Sequence, residues 1–343
     1  TRGLGMRWMG VLFSLFLLLA YGLIFNTVQA NSMAHALNYA FDIPFNFTGV
    51  VVAFFALLVM MRGMKSVARL SQWLVPLMGL VWVVTCLLIS LWHIGEMPDI
   101  INMIIRSAFG LQEAAAGAVG YSVSQAITSG FQRSMFSNEA GMGSTPNAAA
   151  AAASFPPHPA AQGIVQMIGV LIDTIVICSA SAMVVLLSGH GTKTTGYDGI
   201  QLIQHAMNVL VGNWGASFVA IVMVMFAFTS IVANYVYAEN NLIFLRCNKP
   251  WALWLLRIGT LLMVVIGSQL SLPLVWQMAD VIMALMAITN LSAILLLSPV
   301  VRIIARDYLR QRKLGVTPVF DPDYYPEIAQ QLAPESWDQP PRQ

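Results

Sequence analysis

Charge is scarce in this chain. Lysine and arginine number 17 and aspartate and glutamate 15 among 343 residues, so 9% of the sequence is charged, against about 25% in a soluble domain. That shortage excludes a protein wetted on all sides. Cysteine is scarce too. Cys86, Cys178 and Cys247 stand far apart, within or near apolar stretches. Such spacing excludes a disulfide framework or a zinc site, and the three read as small packing residues. The histidines (His35, His93, His158, His190 and His205) are dispersed, and neither H-E-x-x-H nor G-x-S-x-G occurs. Nothing here points to an enzyme. A signal-peptide pattern is also missing. The chain opens on Thr1 rather than methionine, and Arg2 and Arg7 lead straight into an apolar run. That is how an internal loop looks, so the expectation is that sequence precedes it.

What the chain has instead is apolar length. Hydrophobic residues make up 58% and the mean hydropathy is +0.72, the composition of an all-α integral membrane protein. A helix needs about 20 mostly apolar residues to cross a bilayer. Eight stretches are read as spans: 8–30, 73–92, 114–134, 164–187, 214–237, 251–270 and 272–299, with 48–61, which is short alone and qualifies if it extends back through Phe45. The stretch 114–134 is small and glycine-rich, suiting a helix packed closely on others. Residues 99–110 and 199–212 read as amphipathic, interfacial segments. If the spans alternate, Arg2, Arg7, Arg62, Lys65, Arg69, Arg246, Lys249, Arg257 and the arginines from 302 onward share one side. Only Arg106 and Lys193 face the other. The positive-inside rule makes the rich side cytoplasmic, with the C-terminus on it. Residues 1–301 are therefore the membrane domain. Residues 302–343 are a cytoplasmic tail, beginning as a basic helix suited to anionic lipid and ending in proline-rich polar sequence.

One segment departs from this apolar background. Residues 131–153 place Arg133, Asn138, Glu139, Gly141, Gly143 and Asn147 between membrane-grade stretches. Lipid offers no hydrogen-bond partners, so irregular polar backbone survives at membrane depth only where it lines a cavity or is buried in protein. The reading is a helix broken at 138–144, the device by which secondary transporters build a midplane site. The alternative is a solvated loop. Charges elsewhere in the spans are few, and each marks a pathway or a partner. Asp173 either bonds a neighbouring helix or takes part directly. Asp280 shares a helix face with Trp276, four residues earlier. Trp276 either walls a pocket or anchors at the interface, and Asp280 reads as pairing with a neighbouring helix. Thr229 and Ser230 put adjacent hydroxyls in a long apolar helix. They either bond the carbonyls one turn back or offer oxygens to a hard cation such as Na⁺. Gln29 and Asn31 close the first span on a polar note, facing a cavity or the headgroups.

The string Ser137-Asn138-Glu139-Ala140-Gly141-Met142-Gly143-Ser144, with Gly130 and Arg133 before it and an alanine run after it, resembles the signature of the alanine/glycine:cation symporter family. Val28-Gln29-Ala30-Asn31, Trp276-Gln277-Met278-Ala279-Asp280 and Met286-Ala287-Ile288-Thr289-Asn290-Leu291 extend the likeness over essentially the whole chain. The resemblance implies eleven spans, with a five-plus-five inverted-repeat core like that of the amino acid–polyamine–organocation superfamily. The eight spans here would be the fourth to the eleventh, with the first three missing. By the same likeness, Phe226, Thr229 and Ser230 match the place where such folds hold sodium.

The implied function is symport of alanine or glycine with Na⁺, or alternatively H⁺, across the bacterial inner membrane by alternating access. Gly141, Met142, Gly143 and Ser144 would receive the substrate carboxylate at a half-helix N-terminus, and Gln29 and Trp276 would wall the side-chain pocket. The expected partners are the amino acid, Na⁺ and lipid, with no nucleic acid and no other cofactor, and the complete protein is expected to be a monomer. A rival expectation is a non-transporting remnant of such a symporter.

Overall fold

The computed structural model describes residues 2–62, 64–109, 119–189, 196–332 and 337, and these contain helices and turns but no strand. The first helix, α1, runs from Arg7 to Phe41 through a π-turn at Ala20–Ile24. There follow α2 (Phe45–Met61), α3 (Met64–Trp92), α4 (Met97–Ala108) and α5 (Val119–Asn138). After the break come α6 (Thr145–Ala151) and α7 (Pro159–Leu187, with a π-turn at Ile172–Ile177). The chain continues as α8 (Ile200–Val211), α9 (Trp214–Phe244), α10 (Pro250–Gly267) and α11 (Leu272–Lys313), and closes with α12 (Pro326–Ala329). Among the described residues, 6 helices are long and apolar enough to cross a membrane: α1, Gln72–Trp92 of α3, α7, α9, α10 and α11. The protein is a multi-pass membrane protein. Residues 45–61 form the shorter apolar helix α2. Part of the stretch 114–134, residues 114–118, lies outside the described residues.

Two helices overrun their apolar stretches, for a common reason. Hydropathy reports contact with lipid, whereas a helix continues wherever protein satisfies its polar groups. Past residue 30, α1 carries Asn31, whose Nδ2 donates to the carbonyls of Gly267 (3.1 Å) and Leu270 (2.7 Å). One turn further on, Gln204 Nε2 donates to the Ala36 carbonyl at 2.9 Å. Likewise α11 passes through Pro299 and ends at Lys313, so the basic segment after 302 is a continuation of the last span.

The interior forms where α1 lies against α9 and α10. Small residues permit that approach, as is usual where helices pack inside a bilayer. A Cβ on Gly267 would collide with the Thr27 backbone, and one on Gly22 would sit 3.0 Å from Leu256 Cδ1. The π-turn of α1 frees carbonyls, and buried donors take them up. Asn26 Nδ2 donates to Tyr21 O at 2.7 Å, Thr260 Oγ1 to Gly22 O at 2.7 Å and Thr27 Oγ1 to Ile24 O at 2.7 Å. A core of Leu17, Tyr21, Phe25, Met135, Met142, Val275 and Met286 joins α1 to α11 and to the helix break.

Beyond Lys313 the tail turns back onto the bundle. The Phe320 N–H donates to the Pro157 carbonyl at 3.0 Å. Gln311 holds Val319 by two hydrogen bonds, Nε2 to its carbonyl (3.0 Å) and Oε1 from its N–H (2.9 Å). The tail is thus docked on the loop between α6 and α7.

Candidate substrate and ion site

The break falls where the sequence places it. Helix α5 stops at Asn138, whose Oδ1 accepts the Ala140 N–H at 3.2 Å in a local turn. Glu139 follows in the left-handed region, at φ +59°, and Gly143 lies at φ +92°. The second of these conformations is one that only glycine adopts readily. Pro146 then sits in the first turn of α6, where its missing N–H does no harm.

Two of the amides in the turn are spent on the turn itself. The Ala140 N–H also meets Asn138 O at 2.7 Å, and the Gly143 N–H donates to Glu139 O at 3.1 Å. The N–H groups of Gly141, Met142 and Ser144 have no acceptor among the described residues. Carbonyls on the other side of the turn are clamped, since Asn290 Nδ2 of α11 donates to Ala140 O (3.3 Å) and Gly141 O (3.0 Å). The clamp is tight. A Cβ on Gly143 would lie 2.5 Å from Asn290 Cγ. Ser144, fully buried, donates its hydroxyl to Glu139 Oε2 at 2.7 Å. Three amides without partners thus stand beside a clamped stretch of backbone, next to Gly143, which lines the adjoining cavity. Helix α6 is only 7 residues long. Its dipole is correspondingly small, so the free amides carry more of the expected carboxylate recognition than the half-helix reading assigned to them.

A cavity of about 600 Å³ opens beside the break, bounded by Phe13, Gly143, Pro146, Asn147, Thr289 and Asn290. It lies toward the end of the bundle where α9 runs into Arg246 and Lys249. Its polar wall is continued by Asn241, whose Nδ2 donates to Asn147 Oδ1 at 3.2 Å while its Oδ1 accepts the Ser14 hydroxyl at 3.0 Å.

The other sequence-predicted residues are distributed around this centre. Trp276 packs edge-on against Phe136 (centroids 4.9 Å apart), and its face receives Arg133, whose Cζ is 4.0 Å from the ring centroid. Arg133 also donates to Asp280 Oδ2 at 2.7 Å, so Asp280 pairs across helices. An aromatic series, Trp276–Phe136–Phe25–Tyr21–Tyr237, leads from that clasp to the turn. Asp173 accepts the Ser137 hydroxyl at 2.5 Å and so ties α7 to α5. Gln29 is partly buried on α1. No hydrogen bond among the described residues joins it to the turn.

Thr229 and Ser230 lie on α9, and both hydroxyls donate within their own helix. Thr229 Oγ1 reaches Met225 O (3.1 Å) and Phe226 O (2.9 Å), and Ser230 Oγ reaches Phe226 O (3.0 Å). Oxygens of residues 226, 229 and 230 do gather on one turn, with lone pairs on the hydroxyls left over. Among the described residues no cluster of His, Cys, Asp and Glu suits another metal. Sequence reasoning gave no role to Asn290, Asn241 or Tyr21. The one available signal was asparagine and tyrosine recurring inside apolar helices, where an unsatisfied polar group is costly.

Comparison with known proteins bears on the whole chain. The family model described as "Sodium:alanine symporter family" matches residues 1–322. The "Uncharacterized transporter YaaJ" of Escherichia coli (strain K12) is 67% identical over 338 residues, covering 98% of this chain and 71% of that protein. The "Amino-acid carrier protein AlsT" of Bacillus subtilis (strain 168) is 41% identical over 319 residues, 93% of this chain and 66% of its own length. The "Sodium/proton-dependent alanine carrier protein" of Bacillus sp. (strain PS3) is 30% identical over 324 residues, 90% of this chain and 72% of its own. The chain thus spans about two thirds to seven tenths of the length of these relatives. Their names are those of transporters and carriers, not enzymes, in keeping with the missing enzyme motifs. With a match from its first residue through 322, and a broken, glycine-bearing turn inside a bundle of apolar helices, the chain belongs to the sodium:alanine symporter family.

Proposed function

We propose that the protein takes part in carrying small neutral amino acids, alanine or glycine, across the bacterial inner membrane with Na⁺, by alternating access around the broken helix. The observation that carries this reading is the turn after α5: three unpaired amides, at Gly141, Met142 and Ser144, beside a cavity of about 600 Å³. The substrate carboxylate binds these amides. Gly141 and Gly143 let it approach the backbone, and the Tyr21–Phe136–Trp276 aromatics with Gln29 confine the side chain. Na⁺ takes oxygens of Phe226, Thr229 and Ser230 on α9. Carriage requires that ligands bind one arrangement of the gates better than the other, and a broken helix clamped by Asn290 is the element able to switch. The reading includes eight spans in the chain, a five-plus-five inverted-repeat core, and a cytoplasmic tail.

The test is uptake of labelled alanine and glycine by proteoliposomes under an imposed Na⁺ gradient. Accumulation that collapses when the gradient is removed, and competition by small but not by large neutral amino acids, are expected. Uptake indifferent to Na⁺ would overturn the coupling. Preference for large or charged amino acids would overturn the substrate class.

A further inference from the structure

Glu139 differs from the other acidic groups at membrane depth. Asp280 has Arg133 at 2.7 Å. Asp173 lies on the flank of the bundle with the Ser137 hydroxyl. Glu139 stands in the turn itself, where the Ser144 hydroxyl donates to its carboxylate at 2.7 Å and the Tyr21 hydroxyl close by donates to Met142 Sδ at 3.7 Å. The groups that face it are Tyr21 from α1, Tyr237 from α9 and Asp173 from α7. From α11 comes neutral Asn290, on the neighbouring carbonyls. None of these is a cation. Among the described residues no Lys, Arg or His pairs with Glu139, and the nearest arginine along the chain, Arg133, is already held by Asp280 and Trp276.

A carboxylate in such a place must have its charge matched. The contacts to hand are one O–H donor, Ser144, which stabilises a carboxylate but carries no charge, and a second acid. The backbone adds a further observation. Glu139 holds φ +59°, a region that residues with a Cβ seldom enter. Asp42 and Arg246 hold the same region just past their own helix ends, so the conformation marks where α5 stops. Residue 139 is partly buried as a whole, while its carboxyl lies in the interior beside the Ser144 hydroxyl.

We propose that Glu139 binds and releases a proton in each transport cycle and is the point at which pH enters the reaction. This rests on the reading of the protein as a cation-coupled carrier and names the group that serves the proton. The step is simple in its balance. An O–H bond forms on a carboxyl oxygen with a proton taken from water when the turn opens to one side. The bond breaks to water on the other side after the turn reorganises. Ser144 donates to the charged form and loses that role when the proton arrives, so protonation reaches Ser144 in the proposed carboxylate site.

Two readouts test this in the reconstituted protein. Infrared titration of the wild type should show the carbonyl stretch of a protonated carboxyl that disappears as pH rises, and Glu139→Gln should lack it. In proteoliposomes with Na⁺ equal on both sides, a proton gradient should drive alanine accumulation by the wild type, and Glu139→Gln should lose this by about tenfold or more while alanine counterflow persists. If the band remains in Glu139→Gln, or proton-driven accumulation survives, the proposal is wrong. If counterflow is lost together with accumulation, Glu139 is a binding or structural group and the proposal is again wrong. Should Glu139→Gln not fold, Ser144→Ala removes the donor to the charged form. The midpoint of the infrared titration should then rise by about half a pH unit or more, and an unmoved midpoint overturns the proposal. A wild type with no alanine counterflow would refute the alanine-carrier reading, while the infrared band would still decide the protonation of Glu139.

Discussion

Two polar stretches lie among the apolar helices of this protein, and they resolve their polarity in opposite ways. On α9, Thr229 and Ser230 turn their hydroxyls back onto Met225 O and Phe226 O, and the helix passes through unbroken. At 138–144 the backbone itself gives way. Carbonyls are taken by a side chain from α11, and amides are left without partners. The difference lies in the residues. A hydroxyl carries its own donor and can satisfy it locally at little cost to the helix. Glycine carries nothing, and Asn138, Gly143 and Pro146 each favour a turn or a helix start over helix continuation. A polar run in a span is therefore weak grounds for a site, and a polar run that also breaks the helix is strong grounds for one.

That contrast can be broken most severely at Gly143. Gly143→Ala demands φ +92° of a residue with a Cβ and drives that Cβ to 2.5 Å from Asn290 Cγ. The strain is of order 1–3 kcal/mol before Asn290 is displaced, and alanine uptake should fall to background. Gly169→Ala is the matched control. It lies within α7 with nothing within 4 Å of the added Cβ, and uptake should be unchanged.

The next largest effect should come from the clamp. Asn290→Ala leaves the carbonyls of Ala140 and Gly141 unheld, a loss of about 1–3 kcal/mol if they stay buried. Uptake at subsaturating alanine should drop about tenfold. Asn290→Asp should not restore it, because an ionised carboxylate has no N–H to donate. Wild-type affinity in Asn290→Ala would show that the turn holds its shape unaided.

A smaller effect is expected at the docked tail. His158 is fully buried between Tyr308 and Phe320, its Nδ1 accepts the Ala160 N–H at 3.1 Å, and its Nε2 faces Asp307 at 3.4 Å. Burial holds the imidazole below the ordinary histidine value, against the opposing pull of Asp307. The docked state thus prefers the neutral ring. Its contribution is present above about pH 6.5, the ordinary histidine value, and is lost as pH falls through the lowered one. Protonating Nδ1 also removes the acceptor that Ala160 uses. Limited proteolysis between 314 and 325 should therefore quicken on acidification, and His158→Phe should flatten that dependence. Equal cleavage rates at about pH 7.5 and about pH 5.5 would show that the tail is held without His158.

The smallest effect on folding, and the sharpest on ion dependence, belongs to α9. Thr229→Val and Ser230→Ala each remove a hydroxyl worth about 0.5–1.5 kcal/mol, so expression should change little. The Na⁺ concentration for half-maximal uptake should nonetheless rise severalfold, because a cation short of one oxygen is under-compensated. Unchanged sodium dependence in both would assign these hydroxyls to their own helix alone.

Some of this architecture was legible in residue order. The helix break was, because Asn138, Gly141, Gly143 and Pro146 act on their own backbone. The pairing of Asp280 was legible as a need but not as a partner. That its partner is Arg133, 147 residues earlier in the chain, depends on how α5 and α11 cross. Helix ends lie beyond the apolar stretches where polar residues are met by protein rather than water, as at Asn31.

By itself, then, the sequence determined a helical membrane protein, the position of its broken helix, and a family signature around that break. Each of these depends on local backbone chemistry or on the apolar length that a bilayer demands. Only the tertiary structure decided that Asn290, 149 residues from Gly141 in the chain, clamps the turn. It also decided that Glu139 has the Ser144 hydroxyl and, among the described residues, no cation beside it, and that the tail docks on Pro157 and His158. Those contacts join groups far apart in the chain, and no local preference encodes them. They exist because burying a polar group inside a lipid-embedded bundle requires a partner, and packing chooses which one.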